Sequence, residues 1–244
     1  MALLHVVCPV YHEQDNIPRL WEEVQRHFHF SYRLHFVYDR EDDPTVPILR
    51  SLQRQAPDRI VLIHNPAGGV LNALKTGLRQ MPPGVPVLVM MADLSDDLQV
   101  VEPMVAAWHG GVKVVVASRY MPGGRQIGGP PLKRFLARLA GNSLYWLRRI
   151  PVHDATNNFR LYDSSFLNTV QIESRGGFEV ALELTVKAVR AGLPIVEIPA
   201  TWRDRSAGAS RFKLMKWLSH YLRWYLLALR PRGLGRSGNA PKVT

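Results

Sequence analysis

The chain has 244 residues, 46% hydrophobic and 21% charged, which is enough to bury a sizeable core in one domain, or at most two, and excludes wholesale disorder. Its single cysteine, Cys8, excludes a disulfide within the chain. The formal charge of +11 is uneven: residues 1–97 carry 9 Lys+Arg against 12 Asp+Glu, and residues 98–244 carry 22 against 8. The second part therefore points to an anionic partner, whether nucleic acid, a membrane surface or phosphates.

No basic, then apolar, then small-residue leader precedes Leu3, so the chain is expected to stay in the cytoplasm. Leu3–Val10 reads as a buried strand, with Cys8 a small core residue. It closes in the turn Tyr11–Asn16, after which Ile17, Leu20, Trp21, Val24 and Phe28 repeat at helical spacing. Asp15 or Asn16 is suited to cap that helix, and Pro18 sits in its first turn. A second strand, Leu34–Tyr38, ends in Asp39-Arg40-Glu41-Asp42-Asp43. A helix over Ile48–Gln55, a strand over Ile60–His64, and a helix opened by Asn65-Pro66-Ala67-Gly68-Gly69 follow.

Val87–Ala92 is a continuous apolar run and reads as a strand buried on both faces. Asp93, Asp96 and Asp97 follow it within five positions. Carboxylates at that end of a strand lie where open α/β sheets bind ligands, and they suit a hard divalent cation on a diphosphate. The plainer reading makes Asp96 and Asp97 the acidic first turn of the next helix. That helix covers Val101–Trp108 and the next strand Val112–Ala117. Regular alternation of strand and helix specifies a mostly parallel sheet covered by helices, an α/β/α sandwich.

After Ser118 the texture changes. Arg119–Arg149 holds seven basic residues and no acid, and its loop Met121–Pro131 has four glycines and three prolines. An amphipathic helix including Phe135, Leu139, Tyr145 and Trp146 is expected next, then a polar patch, Asp154–Arg160, running into a short strand. Phe178–Ala191 reads as a helix in which Glu183 faces Lys187 one turn on. A strand at Ile195–Ile198, a basic loop at 203–213 and a helix over Arg211–Arg230 complete the pattern, followed by a Gly/Pro/Arg-rich tail over 231–244 expected to be disordered. The helix has a wide apolar face with Trp and Tyr beside Lys and Arg. That composition fits an in-plane membrane anchor, or a helix docked on its own domain or on a second subunit.

Five stretches in order give these residues a family likeness. They are Val7-Cys8-Pro9-Val10-Tyr11-His12-Glu13-Gln14-Asp15-Asn16-Ile17, Asn65–Gly77, Ser118-Arg119-Tyr120-Met121-Pro122-Gly123-Gly124, Asp154-Ala155-Thr156-Asn157-Asn158-Phe159-Arg160 and Arg205-Ser206-Ala207-Gly208-Ala209-Ser210-Arg211. Together they resemble family 2 of the inverting glycosyltransferases, in the branch that uses polyprenyl phosphates. The resemblance implies a GT-A fold over residues 1–210. It implies a nucleotide diphosphate sugar held by Pro9, Tyr11, Glu13, Asp39, Gly69, Ala92 and Asp93. It also implies Mg²⁺ or Mn²⁺ at Asp93, Ser95 and Asp154, and an acceptor phosphate met by Arg119, Lys133, Arg138, Arg205 and Ser210. Asp93, Arg119 and Arg205 carry the chemistry in that reading.

The chain departs from the family where Asp-x-Asp is usual, having Met91-Ala92-Asp93. Thioether sulfur is a poor partner for these cations. The metal is then weakly held, helped by Asp96 or Asp154, or absent. The expected activity is sugar transfer to a membrane polyprenyl phosphate at the inner face of the cell membrane. The alternatives are an impaired member acting as a nucleotide-sugar-binding partner subunit, and a transferase to a sugar hydroxyl. A homodimer or a partner membrane protein is compatible with either. A nicotinamide dehydrogenase is disfavoured because Pro9–Asn16 lacks glycine. Nucleic acid is disfavoured because Trp217, Tyr221 and Trp224 lie on a helix apolar nearly throughout.

Overall fold

The computed structural model describes residues 2–128, 131–204 and 214–231, without the side chains of 131–133, 136–137, 140 and 214–218. Nine strands and eight α-helices alternate through these residues: β1 (Leu4–Val10), α1 (Ile17–His27), β2 (Tyr32–Tyr38), α2 (Thr45–Gln55), β3 (Ile60–His64), α3 (Val70–Arg79), β4 (Pro86–Val89), α4 (Val101–His109), β5 (Val114–Ser118), β6 (Arg125–Ile127), α5 (Pro131–Trp146), β7 (Arg160–Asp163), α6 (Ser164–Thr169), α7 (Val180–Arg190), β8 (Ile195–Pro199), β9 (Thr201–Arg203) and α8 (Leu214–Leu229).

Seven strands form one sheet in the order β3-β2-β1-β4-β7-β5-β8, with β7 alone antiparallel to its neighbours. Alternating side chains send β1, β2 and β4 residues to both faces. Val6, Leu34, Phe36 and Leu88 pack on one face with α1, α2 and α4. Val7, Val37, Val87 and Val89 pack on the other with α3, α6, α7 and α8. Each such buried aliphatic side chain contributes roughly 1.5–3 kcal/mol. Cys8 is fully buried within this core, and burial raises its thiol well above the usual range. Gly77 lets α3 lie close on β1, since a methyl there would stand 2.5 Å from Val7 Cγ1.

Several details differ from the sequence expectations. Neither Asp15 nor Asn16 caps α1; Asn16 Nδ2 instead donates to Glu13 Oε2 at 2.6 Å. β4 ends at Val89, two residues before Met91, because Asp96 turns the chain there. The loop after Ser118 contains β6, which pairs in parallel with β9 in a separate small sheet. α8 docks on α7 and α5, burying Trp224 and Ala228 while Leu222 and Leu226 remain exposed. Lys187 and Arg223 sit on the Trp224 ring at 5.0 and 4.7 Å.

At the opposite end of β1 and β2, His5 Nδ1 and His35 Nε2 lie 2.9 Å apart, both rings buried, and His35 Nδ1 has no partner among the described residues. Burial, then His5, lowers the His35 pKa from 6.5 to about 4. The unfolded chain thus takes up a proton below pH 6.5 that the folded chain refuses until about pH 4. Stability from this pair is complete above the unfolded value and falls as the solution is acidified, by roughly 3 kcal/mol across that window. Urea denaturation at stepped pH should show this slope, and His35→Gln should flatten it; an unchanged slope in the variant would refute the assignment.

Candidate active site

Six of the sheet's strands end at one edge, and the antiparallel β7 brings the residues before it, Asp154–Phe159, to the same place. The strand order reverses between β1 and β4, which is where open sheets leave a crevice for ligands. β4 pairs with β1 only as far as Val7↔Val89, so Pro9 lies beyond that ladder, where its missing N–H removes no bond to β4. His12 and Leu94, in the turns after β1 and β4, hold φ values of 55° and 60°. Such strained backbone costs about 1–3 kcal/mol and persists where its surroundings enforce it.

The turn after β4 is built by its own carboxylates. Asp93 Oδ1 accepts from Ser95 N at 3.1 Å and Ser95 Oγ at 2.6 Å. Asp96 Oδ2 accepts from Met91 N at 3.1 Å, closing the turn. Burial first, then the charge of Asp93, pushes the Asp96 carboxyl up to about 7. Asp97 caps a short 3-10 turn over Leu98–Val100 and accepts from Thr201 N at 2.9 Å, while Arg203 N donates to Ser95 O at 3.0 Å. β9 is thereby stitched to the acidic turn. Beside it, a cavity of about 380 Å³ is lined by Met91, Ser95 and Asp96 with Arg19 and Glu22 of α1 and Arg203.

Toward β2, Asp39 accepts from Asn65 Nδ2 at 2.6 Å and from Gly69 N at 2.7 Å, tying the end of β2 to the start of α3. Gly68 and Gly69 both hold positive φ in that connection. Glu13 N donates to Thr45 Oγ1, and His12 N to Asp43 Oδ2. The structure therefore gathers Pro9, Tyr11, Glu13, Asp39 and Gly69 along the ends of β1 and β2, with Ala92 and Asp93 across the crevice. The sequence reading missed Asp43 and Thr45, the buried pair holding the first loop.

At β5, Arg119 meets Asp154. Its Nε and Nη2 donate to the Asp154 oxygens at 2.7 and 3.0 Å, and its backbone N donates at 3.1 Å. Thr156 and Asn157 backbone N–H groups bond Asp154 Oδ1 as well. Burial works to raise the Asp154 carboxyl, but Arg119 outweighs it and holds the group below the usual range. Asp154, expected as a metal oxygen, is instead the fully buried counterion of Arg119. Arg160, also fully buried, donates to the carbonyls of Asp154 and Asn157 and to Thr185 Oγ1. Gly124 fits against this loop only as glycine, for a methyl would approach Ser118 O to 2.3 Å. Glu179 accepts from the N–H groups of 175–177, and Glu183 from Ser174 and Lys187, so both acids brace the loop before α7. Arg138 is exposed on α5; the side chain of Lys133, and all of Arg205 and Ser210, lie outside the described residues.

Removing one member of a buried ion pair leaves an uncompensated charge, at about 3–5 kcal/mol. Asp154→Leu, which strands Arg119, is expected to lower unfolding stability by that amount in chemical denaturation. A change under ~1 kcal/mol would place the pair in solvent-like surroundings instead.

Residues 5–170 match the family model described as Glycosyl transferase family 2. The chain is 28% identical over 232 residues to the polyprenol monophosphomannose synthase of Mycolicibacterium smegmatis, covering 87% of this chain and 85% of that protein. It is 24% identical over 228 residues to the dolichol-phosphate mannosyltransferase of Pyrococcus furiosus, covering 89% of this chain and 62% of that protein. Among solved structures, glucosyl-3-phosphoglycerate synthase from Mycobacterium tuberculosis, in complex with Mn²⁺, UDP and glucosyl-3-phosphoglycerate, superposes with a TM-score of 0.63 at 16% identity over 97% of this chain and 82% of its own. S. aureus TarS 1-349 with UDP gives 0.58 at 13% identity, over 82% of this chain and 60% of its own. These likenesses show the GT-A fold. The chain is a glycosyltransferase and belongs to glycosyl transferase family 2.

Proposed function

We propose that the chain transfers a sugar from a nucleotide diphosphate sugar to the phosphate of a membrane polyprenyl phosphate, inverting the anomeric carbon. The likeness to the polyprenol monophosphomannose synthase, along 85% of that protein, carries the reading. An acceptor phosphate oxygen attacks the anomeric carbon while the bond to the diphosphate breaks and its electron pair leaves with the nucleotide. A phosphate monoester loses its second proton near pH ~6, so this acceptor needs no strong general base. It needs cations that bring two anions together and stabilise the departing diphosphate. Arg119, Lys133, Arg138, Arg205 and Ser210 are assigned to that work, with Asp39, Gly69 and the ends of β1 and β2 holding the nucleoside.

Membrane contact is assigned to α8 together with α5. No helix among the described residues is long and apolar enough to cross a membrane. Yet Phe135, Leu139, Trp146 and Leu147 on and just after α5, and Leu222 and Leu226 on α8, are exposed. The two helices touch, with Tyr225 OH and Ser143 Oγ 2.9 Å apart. Arg138, Arg148, Arg149 and Arg223 stand exposed among these apolar groups, the composition of a helix lying in an anionic interface.

Incubating the chain with radiolabelled GDP-mannose or UDP-glucose and polyprenyl phosphate in vesicles should move label into the organic phase. Nucleotide binding without any transfer would instead support the partner-subunit reading. In flotation, binding to anionic vesicles should exceed binding to neutral ones and weaken with salt. Phe135→Ser with Trp146→Ser should reduce it about tenfold or more, given ~25 cal/mol per Å² of apolar surface. Equal binding by that variant would remove α5 from the membrane surface.

A further inference from the structure

α7 and α8 pack side by side and run in the same direction. Lys187 Nζ sits 5.0 Å from the Trp224 ring, and three residues further along each helix Arg190 and Leu227 line one groove. One turn earlier, the same register sets Tyr221 against the start of α7, beside Glu183 and the preceding Glu179. That end of α7 is bound to the crevice. Asn158 Nδ2 donates to Phe178 O at 3.3 Å, and the buried Arg160 donates to Ala181 O at 3.4 Å and to Thr185 Oγ1. α8 thereby carries Tyr221 to the Arg119–Asp154–Arg160 cluster. Burial first, then the charge of Glu179, raises its phenol above the usual range, with Arg119, Arg160 and Asp154 also within electrostatic reach.

The polar groups around that phenol are spent on one another. Asp154 accepts from Arg119, Thr156 and Asn157, Arg160 donates to carbonyls and Thr185, and Glu179 accepts from the N–H groups of 175–177. The Tyr221 hydroxyl has no hydrogen-bond partner among the described residues, and the side chain is half-buried. Its neighbours on the helix are held: Trp224 is buried, and Tyr225 OH meets Ser143 Oγ at 2.9 Å. A phenol that keeps its proton beside guanidinium groups is a ready donor to an anion, and a charged acceptor makes that bond a strong one. Leu222 and Leu226 on the same helix are exposed. Within one turn α8 therefore presents a hydroxyl toward the crevice and leucines toward the surface, which matches an anion carrying an apolar chain.

We propose that Tyr221 completes the acceptor site from α8, its hydroxyl donating a hydrogen bond to the phosphate of the polyprenyl acceptor. This rests on the acceptor reading made above. A bond made equally to the bound acceptor and to the transition state raises affinity and leaves the chemical step unchanged. The test compares transfer by the full chain and by Tyr221→Phe, which loses only the hydroxyl. Polyprenyl phosphate in vesicles is varied at saturating GDP-mannose or UDP-glucose, whichever labels the lipid. The KM for the acceptor should rise about tenfold or more, as for a lost hydrogen bond to a charged group. The kcat and the donor KM should stay within about threefold, and flotation on anionic vesicles and the urea midpoint should not move. An unchanged acceptor KM in Tyr221→Phe would overturn the inference and leave the acceptor reading standing. An equal loss for donor and acceptor, a lower urea midpoint or weaker flotation would make Tyr221 a packing residue and overturn it as well. Absence of transfer to polyprenyl phosphate by the wild type would overturn the acceptor reading and the inference together.

Discussion

The architecture of the crevice depends on one buried charge cluster, Arg119–Asp154 with Arg160 behind it. Desolvating three charges is expensive, and the geometry returns that cost through hydrogen bonds on nearly every side. Asp154 receives the guanidinium of Arg119, the Arg119 backbone and the N–H groups of Thr156 and Asn157. Arg160 pairs with no carboxylate among the described residues and is satisfied by carbonyls and Thr185. The pair joins the end of β5 to the segment entering β7 across two strands of different direction. Tyr120, next in line, lies buried against Gly141 of α5, where a methyl would meet its ring at 3.0 Å. The residue next to the charge pair is thereby in contact with α5.

The same cluster explains why this part of the site was only half legible in the sequence. The stretches Ser118–Gly124 and Asp154–Arg160 both carry the family resemblance, but a motif does not say which of its polar groups face a ligand and which face each other. Asp154 looked like a metal oxygen because carboxylates are metal ligands; only the fold shows Arg119 consuming it. The strands with long apolar runs were readable because burial on both faces leaves an unambiguous hydrophobic signature. β6 was not, since Arg125-Gln126-Ile127 is three residues without a buried face, held by pairing with β9 some 75 residues away. The end of β4 was overextended for a related reason. Met90 and Ala92 are buried like strand residues, yet a hydrogen bond from Met91 N to Asp96 has already turned the chain.

Charge asymmetry along the sequence becomes asymmetry across the crevice. Four acids of the first 97 residues shape loops at the sheet edge: Asp39 on Gly69, Asp43 on His12 and Thr45, Asp93 on Ser95, Asp97 on Thr201. Their negative charge thus serves backbone N–H groups that would otherwise lack partners at the sheet edge. The cations of the second part are differently placed, with Arg203 lining the cavity and Arg138, Arg148 and Arg149 in the open. Exposed arginines outside ion pairs, unlike the buried Arg119 and Arg160, remain open to anions. That preference follows from which groups are already satisfied, more than from the net charge.

α5 and α8 extend that preference outward. A helix that only covered a core would turn its aromatic residues inward, as α8 does with Trp224. The other faces of these helices carry Phe135, Trp146, Leu222 and Leu226 in solvent, interspersed with arginines and without a single acid between Arg119 and Arg149. Apolar exposure of that kind is costly in water and is offset only by an apolar medium or a partner surface. Arginine among the exposed aromatics is the composition that suits a medium whose polar boundary is anionic, in keeping with the membrane contact proposed above. On the proposed reading, the cations assigned to the lipid phosphate and the arginines exposed on and beside α5 and α8 would serve one anionic partner, the bilayer that carries that phosphate.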